Sequence, residues 1–291
     1  MKKRINVQKE IERLDPQADC QRIVFLTAYL EFPWDMTRAL ELALFRTFAV
    51  PSIAKLLDQT REFTDHTLRR YDDTAIIINE ILINGYDSER GMAFLKRMNR
   101  MHGQYDISND DFLYTLSTFV FEPVRWIERF GWRDLYPNER HALFYFWREV
   151  GVRMRIQDIP ETYAGFEQFS LDYEQKTFAS TEAGKRVASA TRDLLLSFYL
   201  PQPLWKKAEP MVYALMDEPL LKAMDYPLPS AGTRRRVEAL LRVRAKLLRL
   251  LPKNKYPHLN TLLQYPTHPD GYSVDDIGPR SLREKWAKSR G

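Results

Sequence analysis

A single cysteine, Cys20, in 291 residues excludes an internal disulfide framework and fits a reducing compartment. Glycine is scarce, at 11 residues, and no alternating Val/Ile/Thr runs stand between turns, which argues against a strand-rich fold. No uninterrupted apolar run approaches the ~20 residues that span a bilayer. The amino-terminal MKKRINVQKEIERL is charged and lacks the apolar core of a secretory signal, so a cytoplasmic protein is expected, free to make peripheral membrane contact. Gly-x-Ser-x-Gly, Walker and Gly-x-Gly-x-x-Gly motifs are missing, which leaves acyl transfer, phosphoryl transfer and nicotinamide chemistry without motif support. There is also no His-Glu-x-x-His, no close histidine pair for zinc, and no pair of Glu-x-x-His motifs for a di-iron bundle.

What is present is apolar and helical. Hydrophobic residues make up 44% of the chain and aromatics 13%, enough to fill a substantial core. The 44 basic residues exceed the 39 acidic ones by only five, and no dense basic block specifies a nucleic-acid surface, so no nucleic-acid partner is expected. Apolar spacings of three and four recur throughout and predict an all-α fold. Asp35 precedes the run MTRALELALFRTF, and Pro51 suits the first turn of the next helix. One long helix is predicted over 61–84, closed by Gly85. Ser88 is placed to cap ERGMAFLKRMNRMH, and Ser108 or Asn109 to cap the helix that ends at Gly131, with Pro123 expected to kink it. Further helices are predicted at 137–150, ended by Gly151, and at 160–178 and 181–199.

The texture changes after Pro201, where prolines cluster and a basic helix follows in TRRRVEALLRVRAKLLRLL. The expected organisation is an amino-terminal helical extension over 1–24, a helical core over 25–200, and a carboxyl-terminal extension over 201–291 wrapped on the same body. The last forty residues read as loosely structured. The basic helix carries an apolar stripe of Val237, Leu240, Leu241, Leu247, Leu248 and Leu251, which suits either a core face or an anionic lipid surface.

Two sets of residues carry candidate chemistry. His66, Arg70 and Thr74 recur every four residues with Asp73 beside them, forming a polar row on a helix whose next turns are apolar. This is either a solvated edge, with Arg69 and Arg70 pairing Asp72 and Asp73, or a polar strip in a pocket. His102 follows Leu95 and Met98 on an apolar helix face. Spacing alone leaves it as a packed imidazole donating to a carbonyl or as a nitrogen offered to a metal. Haem needs only one protein ligand, in an apolar slot, and His102 suits that demand.

RYDDT, RMNRMHGQYD and SNDDFLYTLSTF, in that order, followed by REVGVRMRIQDIPETYAGFEQF, resemble the MpaB-type oxygenases and latex clearing proteins over roughly residues 25 to 200. The resemblance implies a globin-like helical haem b fold, with His102 as the iron ligand, Arg70 and Thr74 on the distal wall as cofactor-binding and catalytic residues, and Asn109-Asp110 opening the next helix. It also implies dioxygen and a hydrophobic, unsaturated, isoprenoid-like molecule as substrates. Latex clearing proteins carry a lysine before the threonine; here Asp73 stands in its place, and as a catalytic residue it would orient Arg70 or accept a proton. The alternatives are a non-enzymatic haem sensor or carrier and a helical membrane-surface or interaction protein.

Overall fold

The structure is a computed structural model describing residues 7–251 and 264–288. Every regular element among the described residues is helical. The chain opens with α1 (Val7–Arg13) and α2 (Cys20–Leu26), which runs into a π-turn at Thr27–Glu31. Then come α3 (Pro33–Phe48), α4 (Pro51–Thr60), α5 (Glu62–Asp65), α6 (Thr67–Asn84), α7 (Glu89–His102), α8 (Asn109–Phe130) and α9 (Pro137–Arg153). After these lie α10 (Tyr163–Thr177), α11 (Glu182–Ser197), α12 (Trp205–Tyr213), α13 (Glu218–Ala223), α14 (Ala231–Leu250) and α15 (Arg280–Lys288). Hydroxyl caps set several of these starts. The side chains of Ser88, Ser108, Thr162, Thr181 and Ser230 each accept the backbone N–H three residues on, satisfying a donor with no partner inside its helix.

Three local expectations give way to packing. The helix predicted over 61–84 is broken at His66 (φ −133°), and α5 is turned so that Phe63 meets Phe48 edge-on at 5.3 Å. Gly151 lies inside α9 and does not end it. A Cβ there would come 2.5 Å from Leu116 Cδ2 and 2.8 Å from Ile159 Cδ1, so glycine serves close approach and α9 runs on to Arg153. The run from Asp35 belongs to a longer helix that begins at Pro33, with Asp35 in its first turn.

α6 packs along α7, α3 along α8 and α2 along α9. The main apolar cluster draws Ile11, Ile23, Ile76, Leu95, Val120, Phe146 and Ile277 together, so the body is closed by residues from both ends of the described chain. A second cluster joins Phe45, Phe48, Val187, Tyr213 and Leu221. Arg46, buried on α3, pairs with Glu122 of α8 at 2.6 Å and Glu174 of α10 at 3.0 Å, and also with Asp217 before α13. A buried guanidinium is tolerable only with such partners.

The expected looseness of the last forty residues is not what the structure shows for 264–288; residues 252–263 and 289–291 lie outside the described residues. Arg97 of α7 donates to the carbonyls of Asp275 and Ile277, both at 2.9 Å, and Arg69 of α6 donates to those of Thr267 and Asp276. Ile277 is fully buried, worth about 1.5–3 kcal/mol, and Trp286 lies 4.3 Å from the Arg97 guanidinium. The tail thus lies across α6 and α7, the two helices that carry the candidate site. Proline and polar composition suggested looseness because the holding groups are arginines and carboxylates about two hundred residues away.

Candidate functional site

α6 puts Arg70 and Thr74 one turn apart, and the structure joins them. Arg70 Nη1 donates to Thr74 Oγ1, which itself donates to the Arg70 carbonyl at 2.8 Å. The guanidinium lies 5.1 Å from the centre of the Phe63 ring, whose face attracts the cation. Burial lowers the Arg70 pKa, with Asp73 acting in the opposite direction, yet a guanidinium stays charged at any physiological pH.

His102 is the last residue of α7, at the carboxyl end of the apolar stripe that buries Leu95 and Met98. Its ring meets Phe112 of α8 edge-on at 5.3 Å. Nδ1 is buried and has no hydrogen-bond partner among the described residues. Burial, and then the nearby charge of Arg70, pull the imidazole down from 6.5 to about 4, so it is neutral at pH 7. A neutral imidazole with an unsatisfied ring nitrogen is the form that ligates a metal. Among the described residues no three His, Cys, Asp or Glu side chains converge on a metal position, so His102 stands as a single donor. That fits a group such as haem, whose iron takes its other ligands from its own ring.

Beside His102 opens a cleft of about 570 Å³. Its wall is apolar at Met92, Leu95, Phe112 and Met154, and basic at Lys96, Arg100, Arg153 and Arg155. Arg70 and Thr74 are not among its lining residues; Arg70 acts on His102 through its charge, and Thr74 is hydrogen-bonded to Arg70. Phe112 lines the cleft, whereas Phe94 packs on Tyr272 and Leu116 is buried against Gly151. A smaller cavity of about 200 Å³, at Arg46, Glu122 and Asp217, shares no lining residue with it.

Asp73 is placed differently from its neighbours. Its Oδ1 accepts from Nε2 of His268 and its Oδ2 from the backbone N–H of Gly278, each at 2.9 Å, and Arg69 approaches at 3.2 Å. Asp72 likewise accepts from the Thr267 backbone and hydroxyl. Both carboxylates therefore grip the tail, and Asp73 acts on Arg70 through its charge and not through a hydrogen bond. His66 is exposed at the break before α6.

Asn109 closes a two-way hydrogen bond with the Gln157 backbone, donating at 3.0 Å and accepting at 2.8 Å, so the start of α8 is fixed to the Ile-Pro loop after α9. Asp110 is exposed, and the buried carboxylate of that turn is Asp111, which accepts from Ser52 and Tyr173. Sequence reasoning missed His268 and the cleft residues Tyr105, Met154 and Arg155. Tyr105 stood three residues beyond His102 and Arg155 within VRMRIQDIP, but nothing local marked Arg155 as left-handed (φ 63°).

The site is thus an all-helical one, in which an imidazole nitrogen without a hydrogen-bond partner among the described residues lies within the electrostatic reach of a half-buried arginine. The chain belongs to the family described as ER-bound oxygenase mpaB/B'/Rubber oxygenase, catalytic domain, whose model matches residues 31–247. It is 32% identical over 265 residues to the ER-bound oxygenase mpaB' of Penicillium brevicompactum, covering 84% of this chain and 62% of that protein. It is 33% identical over 218 residues to the ER-bound oxygenase mpaB of Penicillium roqueforti (strain FM164), covering 69% of this chain and 73% of that protein. Against mpaB of P. brevicompactum the match is 31% over 224 residues, 57% of that protein's length, so the chain spans about three fifths of the P. brevicompactum relatives.

Proposed function

We propose that this chain is a haem b-dependent oxygenase that uses dioxygen to oxidise or cleave a hydrophobic, unsaturated, isoprenoid-like substrate. The observation that carries the reading is the buried, unpartnered Nδ1 of a neutral His102. Leaving such a group unpaired costs about 1–3 kcal/mol, a cost that ligation of the ring would offset. The oxygenase activity named for the fungal relatives supports the same reaction class.

Haem, when bound, supplies the iron chemistry that activates dioxygen. His102 would hold it from one side, and Lys96, Arg100 and Arg155 at the cleft would meet the ring's carboxylates. Arg70 contributes a fixed positive charge and several donors; the Phe63 face and the Thr74 hydroxyl hold that guanidinium in place. Met92, Leu95, Phe112 and Met154 give an apolar wall against which a hydrocarbon chain can lie while water is displaced.

The test is haem titration of the purified protein followed by visible spectroscopy. A Soret band should grow to one haem per chain, and His102→Ala should weaken binding severely. Full occupancy with an unchanged spectrum in that variant would remove His102 from the site. Mass analysis of products from an unsaturated terpenoid under isotopically labelled dioxygen tests the reaction: label in carbonyl products supports the oxygenase, and haem binding without incorporation points to a carrier.

A further inference from the structure

α14 has two apolar faces where a surface helix needs one. The inner face buries Val237 and Ala245, with Leu241 and Leu248 packed on the main cluster. On the outer side Leu240 is 61% exposed, Val243 53%, Leu247 56% and Leu250 82%. Spacings of three and four confine these four to an arc of about 80°. Five of the twelve large apolar side chains exposed among the described residues lie between 240 and 251, so the ridge is a concentrated feature and not ordinary surface scatter.

Charge selects what the ridge meets. The exposed cations Arg235, Arg242 and Lys246 fill the strip beside the ridge, Arg236 continues the line of the ridge toward the amino terminus, and the one acidic residue of the helix is Glu238, 3.4 Å from Arg242. The other cations are committed to the protein body, Arg244 to Asp35 at 2.9 Å, Arg234 to the Met216 carbonyl at 3.2 Å, and Arg249 to the Trp132 carbonyl. No described helix is long and apolar enough to cross a membrane. We infer that the outer face of α14 is a peripheral docking surface for an anionic lipid bilayer, with Leu240, Val243, Leu247 and Leu250 entering the headgroup region and the arginines and lysine meeting lipid phosphates. This inference is independent of whether the His102 site holds haem.

Co-sedimentation of the purified full chain with vesicles tests it, comparing pure phosphatidylcholine with phosphatidylcholine carrying about 30% phosphatidylserine. The protein should bind the anionic vesicles and not the neutral ones, and about 0.5 M salt should release it. Arg235→Gln/Arg242→Gln/Lys246→Gln should lower partitioning by about two orders of magnitude. Leu240→Ser/Leu247→Ser/Leu250→Ser should abolish it, with thermal midpoints unchanged because every position is exposed. Absence of binding to anionic vesicles, or binding that neither variant alters, would overturn the inference. So would a concentration-dependent dimer that the leucine variant dissolves, since the ridge would then be an interface between copies of this chain.

Discussion

Asp73 on α6 accepts a hydrogen bond from His268 at 2.9 Å across a sequence separation of 195 residues, and both side chains are buried. The same carboxylate receives the Gly278 N–H, so one side chain fastens two points of the tail over α6 and α7. Asp73→Ala strands two buried donors, each costing about 1–3 kcal/mol, and should lower stability by about 3 kcal/mol. Hydrogen exchange should rise in 264–288 well before it rises in α8. Uniform protection in the variant would show that Arg97 and Ile277 hold the tail without Asp73.

The imidazole of His102 titrates at about 4 in the folded protein against an ordinary 6.5, because burial and the charge of Arg70 both disfavour its protonated form. The unfolded chain therefore takes up this proton first as pH falls. The contribution is fully present above 6.5, shrinks as pH drops toward 4, and is of the order of 3 kcal/mol over that window. Urea unfolding at a series of pH values should show His102→Gln less pH-sensitive than the parent between 6.5 and 4. Parallel curves would mean that His102 titrates normally.

How much of this arrangement the chain discloses locally depends on how far apart the interacting groups lie. Ser88 and Ser108 cap α7 and α8 as their spacing predicts, since a cap and its N–H are three residues apart. Arg70 and Thr74 meet because four residues make one helical turn. The break at His66 is decided by Phe63 finding Phe48, and the grip of Asp73 on His268 by a contact between chain ends, neither of which has periodicity. Spacing alone leaves His102 between packing and ligation, because the surroundings that bear on the choice, an Nδ1 without a partner among the described residues and the charge of Arg70, lie outside its own helix.

Arg70 is the charged neighbour that helps keep His102 neutral. Arg70→Ala removes that repulsion but leaves the ring buried, so the His102 pKa, followed by NMR titration, should rise above about 4 yet stay below 6.5. On the proposed function, the same variant should retain haem and lose at least about tenfold in oxygenase turnover, as expected for a group that would stabilise developing charge. An unmoved titration would separate the two residues electrostatically, and undiminished turnover would remove Arg70 from the reaction.

α6 and α7 carry Arg70 and His102, and at the corner joining the two helices Gly91 leaves no room for a side chain. A Cβ at Gly91 would stand 1.9 Å from the Gly85 carbonyl oxygen, a backbone atom that cannot rotate away, and 3.2 Å from the capping hydroxyl of Ser88. Gly91→Ala must push the two helices apart, at a cost of about 3 kcal/mol or more. Ser88→Ala removes only the cap, about 1 kcal/mol, and leaves the backbones in contact. The comparison distinguishes spacing from simple stability. If the corner sets the site, Gly91→Ala should weaken haem binding at temperatures where it remains folded, whereas Ser88→Ala should bind haem like the parent; equal haem affinity in both would mean that the helix spacing at this corner is immaterial to His102.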